Sequence, residues 1–426
     1  MSAASASFDW RQGWRYGLMG LPLAFVALPL YVQLPNYYAK QFGMPLATLG
    51  AVLLGARLFD AFIDPLLGRW SDRLYAHSLR SVLHWGAVAC VLLALGFGLL
   101  FFPPLPAQQH LVIWASVALL ITYVGYSGVS VLHQSWGAML GGDESQRSRI
   151  VAWREGLGLL GVVLASIVPV ALGLPASTAL FFIALAVGWW AWSRALRPHR
   201  ATDFAASQAW SSGQPTSVWL PFARPEFRAL LAVFMVNGIA SAVPATLILF
   251  FVQDRLQAPA ALEPLFLGSY FVCAALAIPA WLALVKRIGL ARTWGVGMLL
   301  SIAVFVFAAQ LGAGDVAGFV AVCALSGIAL GTDLTLPGAL LAGTIAASGD
   351  QGRAEGAYFG WWNFATKLNL ALAAGVALPL GALGYVPGAR DAEALQTLTW
   401  AYCLLPCALK LLAATLLYTL ILRKPL

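Results

Sequence analysis

Val82-Leu-His-Trp-Gly-Ala-Val-Ala-Cys-Val-Leu-Leu-Ala-Leu-Gly-Phe-Gly-Leu-Leu-Phe-Phe102 is a run of 21 residues without one Asp, Glu, Lys or Arg. It is the length of a helix that crosses the hydrocarbon core of a bilayer, and it does not alternate as a barrel strand would. Runs of this kind recur at 17–39, 46–67, 82–102, 111–136, 155–174, 177–196, 229–252, 262–285, 294–313, 316–341, 357–380 and 397–421, twelve in all. Over the 426 residues, 61% are hydrophobic and only 10% charged. Mean hydropathy is +0.81. A soluble domain carries about a quarter charged residues. Lipid offers no hydrogen-bond partners, so the backbone must close its own bonds in helices.

The basic residues test that count. With the N-terminus inside, nineteen of the 25 Lys and Arg fall in inside segments, and only Lys40, Arg255 and Arg390 fall outside. Arg57, Lys367 and Lys410 lie within or at the ends of runs. This bias supports twelve spans with both termini cytoplasmic. The net charge of +8 is then a topology signal, and nucleic-acid binding is not expected. The first apolar run is too long for a cleaved leader and reads as a retained helix. The five cysteines all lie in apolar runs and read as small buried side chains. The five histidines are scattered, and no metal cluster, nucleophile–base set or nucleotide-binding strand is visible, so no enzyme activity and no cofactor are expected.

The longest inside segment, 197–228, contains Ser211-Ser-Gly-Gln-Pro215 and divides the spans six and six. The expected organisation is a bundle over 1–196, a cytoplasmic linker over 197–228 and a second bundle over 229–426. Two six-helix halves around a midplane site are a layout of secondary transporters. Breaks are plausible at Pro22, Pro29, Pro337 and Pro379.

Charges at bilayer depth are costly, so they are functional suspects. In span 2, Asp60 and Asp64 are four apart and share a helix face, with Arg57 three residues before Asp60. Two carboxylates in low dielectric repel, which suits them to hold a proton or small cation; an ion pair that only pins helices is the alternative. Gly68, Ser71, Asp72 and Arg73 read as a tight charged turn between spans 2 and 3, a gating contact of the inward face or else a plain charged loop. Asp333 lies deep in span 10. Lys367 lies in span 11 among Asn363, Thr366 and Asn369, with Asp60, Asp64 and Asp333 as possible partners. Polar and aromatic groups suited to a polar solute are Tyr31 in span 1, Tyr126, Ser130 and Gln134 in span 4, and Trp362 and Asn363 in span 11. Tyr16, Tyr37 and Trp136 could instead belong to interfacial belts, and His133 to a proton path or a helix–helix contact.

Arg57-x-x-Asp60-x-x-x-Asp64-Pro65-x-x-Gly68 resembles the second-helix motif of the glycoside–pentoside–hexuronide cation symporters, the melibiose permease family. Gly137 to Arg154 and Gly331 to Tyr385, including Arg353-x-Glu355-Gly356-x-Tyr358-Phe359, are similar to the family as well. The resemblance implies an all-α major facilitator fold of twelve helices and alternating access. It implies cation coupling through Asp60, Asp64, Ser127 and Lys367 and a substrate contact at Arg154; Arg57, on the same face, is counted with the coupling residues and Asp333 with the candidate solute residues. The departures are Ile63, where the family's galactoside carriers have asparagine, Ala24 and Ser130 in place of sugar-binding aspartates, and Gly343 and Ala346 in place of acidic residues after helix ten. Ile63 shifts the expected coupling ion from sodium to a proton. The expectation is a monomeric symporter of a small solute in a bacterial-type inner membrane. A lysolipid or other amphipathic substrate, an organic acid, or export are the alternatives.

Overall fold

The computed structural model describes residues 8–104, 110–198, 217–375, 380 and 385–423, with the backbone alone at 31, 32 and 46. Ser211–Pro215, Pro379 and Gly384 lie outside the described residues. The helices follow the expected runs. We number them α1 (10–42), α2 (Leu46–His77), α3 (Leu79–Phe101), α4 (Leu111–Met139), α5 and α6 (the stretch Glu144–Ser193, divided at Gly173), α7 (Pro225–Phe250), α8 (Glu263–Ile288), α9 (Leu290–Ala308), α10 (Val316–Ala347), α11 (Glu355–Gly375) and α12 (Ala392–Leu422).

Among the described residues, eight stretches are long and apolar enough to cross a membrane: α3, α4, the α5–α6 stretch, α7 to α10, and α12. The α5–α6 stretch counts twice. Gly173 has φ +82° and ψ 170°, a conformation open to glycine, and breaks the 50-residue stretch into two helices. The other three are interrupted or polar. α1 is broken at 18–19 and winds into a π turn at Pro29–Gln33. α2 carries Arg57, Asp60 and Asp64, and α11 carries Lys367. Pro337 is accommodated without a break, for α10 is continuous through it.

The chain divides into two compact units, 1–223 with 342–364, and 224–341 with 365–426. This differs from a simple division at the linker. The end of α10 and the start of α11 pack with the first unit, because glycines there let backbones meet side by side, as shown below.

Within the first unit, small residues set the helix crossings, as expected where lipid removes the hydrophobic drive between helices. A Cβ on Gly20 would stand 2.3 Å from the Arg154 carbonyl oxygen, and one on Gly161 would stand 2.2 Å from that of Leu21, so α1 and α5 touch backbone to backbone. Trp136, Trp192, Tyr123, Phe97, Phe101 and Phe181 fill the core. Trp136 is fully buried and donates from Nε1 to the Leu196 oxygen at 2.9 Å. Tyr16 is buried too, so neither belongs to a belt at a surface. Tyr16 stacks on His133 at 4.2 Å, donates to its carbonyl oxygen at 3.1 Å, and offers its own carbonyl to His133 Nε2 at 2.8 Å. His133 is therefore a helix–helix contact between α1 and α4.

In the second unit the core centres on Phe251, stacked on Tyr402 at 4.2 Å, with Phe266 and Phe319 around it. Asp254, in the π turn Phe251–Arg255 that follows α7, accepts from the Tyr385 hydroxyl at 2.5 Å and the Gly388 amide at 3.0 Å, which fastens the segment before α12. The five cysteines are free.

Candidate functional site

The helix face read from the sequence exists. Asp60 and Asp64 are 2% and 0% exposed. α4 supplies Ser127, whose Oγ donates to Asp60 Oδ1 at 2.8 Å. Two carboxylates one turn apart are thus shut away from water, with a hydroxyl on the first. Arg57, on the preceding turn, is exposed. Lys367 is half-buried and lies on the second-unit part of α11.

The residues proposed for a solute are distributed unevenly. On α4, Gln134 donates to Ser130 Oγ at 3.3 Å, and Tyr126 is half-buried. Arg154 pairs with its neighbour Glu155, through Nε at 2.9 Å and through Nη2, and lies within electrostatic reach of Tyr16 and Tyr126. Glu155 is a partner that sequence reading missed, since a charge beside an arginine at the head of a span looks like topology. On the first-unit part of α11, Trp362 is buried and Asn363 half-buried. The Tyr31 side chain lies outside the described residues.

Asp333 requires a correction. Its Oδ1 accepts from Asn237 Nδ2 at 3.0 Å and Trp294 Nε1 at 2.9 Å. Its Oδ2 accepts from Ser241 Oγ at 3.0 Å and Lys410 Nζ at 2.7 Å. Lys410 also donates to Asn237 Oδ1 at 3.0 Å. A carboxylate offers about four acceptor sites, and all are taken. Asp333 is the hub of α7, α9, α10 and α12 rather than a hydroxyl acceptor for solute, and its cation is Lys410, not Lys367. No local signal could have found this pair, because 77 residues separate its members.

Gly68, Ser71, Asp72 and Arg73 are also corrected in form. They are the last turns of α2, which continues to His77, and the turn comes at Ser78, whose side chain caps α3. Asp72 accepts from the amides of Gly356 at 2.7 Å and Ala357 at 3.0 Å, the first turn of α11. It supplies from α2 the anion that a helix N-terminus prefers. Glycines permit this approach: a Cβ on Gly68 would stand 2.1 Å from the Gly356 oxygen, one on Gly356 2.1 Å from the Gly68 oxygen, and one on Gly360 2.6 Å from the Asp64 oxygen. Arg73 is exposed. Gly343, near the end of α10, lies under the Arg147 guanidinium, whose Nη1 is 2.9 Å from where a Cβ would be.

Asp72 and Glu355 both lie beyond the apolar runs 46–67 and 357–380. Burial lifts the Asp72 carboxyl well above the ordinary range, with the charge of Glu355 adding to it and the two amides opposing. Glu355 is fully buried, and burial lifts it from 4.5 to about 7.

The family model described as MFS/sugar transport protein matches residues 15–424. YagG of Escherichia coli (strain K12), which carries the name of a candidate glycoside/cation symporter, is 28% identical over 148 residues, covering 34% of this chain and 32% of that one. YjmB of Bacillus subtilis (strain 168), named an uncharacterized symporter, is 24% identical over 384 residues, 85% of this chain and 82% of that one. Among solved structures, FucP, titled a major facilitator superfamily transporter in the outward conformation, superposes with a TM-score of 0.67 over 95% of this chain and 99% of that one, at 15% identity. The fold is that of a major facilitator.

Proposed function

Because the chain belongs to the MFS/sugar transport protein family, we propose that it is a symporter driven by protons, carrying a small polar solute of the sugar or glycoside kind by alternating access. The observation that carries this reading is the buried Asp60–Asp64 face with Ser127 bonded to Asp60 at 2.8 Å. Buried carboxylates at this spacing change charge when they load a cation, and a conformational equilibrium biased by that charge links ion to solute. Ile63 brings an apolar side chain beside Asp64 where a sodium ion would need oxygen, which favours the proton. The relatives' symporter names support the same class. The bias of basic residues supports an inner membrane with both termini in the cytoplasm.

We assign the gate on that side to the contact of Gly68 and Asp72 with the start of α11. A valine at Gly68 would have to displace the Gly356 carbonyl, and overpacking of this kind costs about 1–3 kcal/mol. Gly68→Val is expected to slow uptake by proteoliposomes about five- to a hundredfold, with the purified protein still folded by circular dichroism.

The function is tested by thermal shift on the purified protein with sugars, glycosides, organic acids and lysolipids, each at acidic and alkaline pH, with and without sodium. A ligand that binds the native state raises its melting temperature. A sugar or glycoside that stabilises more at acidic pH and ignores sodium supports the proposal. A lysolipid or organic acid as sole ligand overturns the solute, and dependence on sodium overturns the ion.

A further inference from the structure

Glu355 is not needed by the coupling site, yet it is 0% exposed at the point where α11 meets α2. Its Oε1 accepts from the Gly352 amide at 2.6 Å, and its Oε2 has no hydrogen-bond partner among the described residues. Such an oxygen is costly as half of a carboxylate and much cheaper as half of a neutral acid. The adjacent residue, Gly356, gives its amide to Asp72. Two buried carboxyls therefore share one helix start: Asp72 accepts from the amides of Gly356 and Ala357, and Glu355 from amides of its own turn, with one oxygen left over. Burial raises both carboxyls, and the oxygen left without a partner marks Glu355 as a group suited to hold a proton.

Among the described residues no cation is paired with Glu355, and Arg353, two residues before it, is exposed. From α2 come Asp72, Tyr75, which lies within reach of its field, and Arg69, which acts on Asp72. Its own turn carries Asp350, whose carboxylate takes the Tyr358 hydroxyl at 2.7 Å and whose charge opposes ionisation of Glu355. The α4–α5 turn reaches this end through Gly141 and Gln351 and carries Asp143, Glu144 and Arg147, of which Arg147 is turned to Gly343.

We propose that Glu355 is a proton-binding site of its own, separate from the Asp60–Asp64 face, which takes one proton from the adjoining water as α11 closes on α2 and returns it as they part. The proposal rests on reading the Asp72 contact as a gate. The proton moves between water and a carboxylate oxygen, so no other reactant is needed. The sign follows from burial. The carboxyl titrates near 4.5 in its ordinary state and at about 7 when closed in. Closure gains its full support from Glu355 below about 4.5 and loses it as the pH rises through about 7. Inside that window each pH unit changes the ratio of closed to open by up to about tenfold.

The test is infrared pH-difference spectroscopy on the purified full chain, with amide hydrogen exchange of the segment 352–358. The expected result is a buried carboxylic-acid carbonyl band that vanishes as the pH rises through about 7. It should be missing in Glu355→Gln, moved in Glu355→Asp and retained in Asp72→Asn. Exchange at 352–358 should quicken over the same pH range. A wild type without such a band, or a band unaltered in both Glu355 variants, overturns the site. Should Glu355→Gln not fold, Glu355→Asp decides. A titrating Glu355 with exchange independent of pH overturns the link to closing. The gate reading fails separately, if Asp72→Asn leaves exchange at 356–357 unchanged.

Discussion

Lys410→Ala is expected to destabilise the protein by about 3–5 kcal/mol, because it strands the Asp333 carboxylate among four helices with its strongest donor gone. Lys410 and Asp333 are 6% and 14% exposed as side chains, too dry for water to replace the ammonium cheaply. The double variant Asp333→Asn, Lys410→Met carries no net charge at the hub and is expected to recover most of the loss, since replacing both members of a buried pair is often neutral. Chemical or thermal unfolding of the purified proteins measures both. A single variant as stable as the wild type would show that the hub is slack. A double variant no better than the singles would show that the charges themselves are required. Asp333→Asn alone should fall with the singles, for it leaves the buried ammonium with neutral amide oxygens and no anion.

The second large effect concerns coupling. Asp60→Asn and Asp64→Asn are each expected to abolish uphill accumulation while leaving downhill exchange of solute measurable. One charge moved through about 100 mV is worth about 2.3 kcal/mol, or about a 50-fold concentration ratio, and that ratio should collapse towards one. Ser127→Ala should act in the same direction but less, because it removes a hydrogen bond from Asp60 and not the charge itself. Accumulation of a labelled solute in energised vesicles, compared with counterflow in unenergised ones, separates the two. If both aspartate variants accumulate solute as the wild type does, the coupling assignment fails.

The fold was legible because the bilayer forces so much into the sequence. Apolar runs such as 82–102 and the one-sided distribution of arginines locate helices by solvent requirements alone. The Asp60–Asp64 face was legible for a similar reason: a spacing of four on one helix is a local fact. What escaped was non-local. Lys410 and Asp333 meet across 77 residues, and their pairing emerges only once α10 and α12 are packed. Glu355 looked like an ordinary first-turn acid, a position where helices welcome negative charge. Only its burial against α2 makes it unusual. The end of α2 was read as a turn because Gly68, Ser71 and Asp72 are poor helix formers. Packing overrode that preference, since Asp72 satisfies amides of α11 instead of its own backbone.

The amides that Asp72 receives come from 284 residues further along the chain. This has a bearing on synthesis. The first unit is assembled from two stretches of chain, and the whole of 224–341 lies between them. A ribosome that has delivered all six N-terminal helices has not yet made the residues that close their own bundle. Until Gly356 and Ala357 emerge, Asp72 has no amides to accept from and Gly68 presents bare backbone. The last steps of assembly for the first half must therefore await most of the second, and nascent chains halted before residue 342 should be held open to proteases and chaperones at the end of α2.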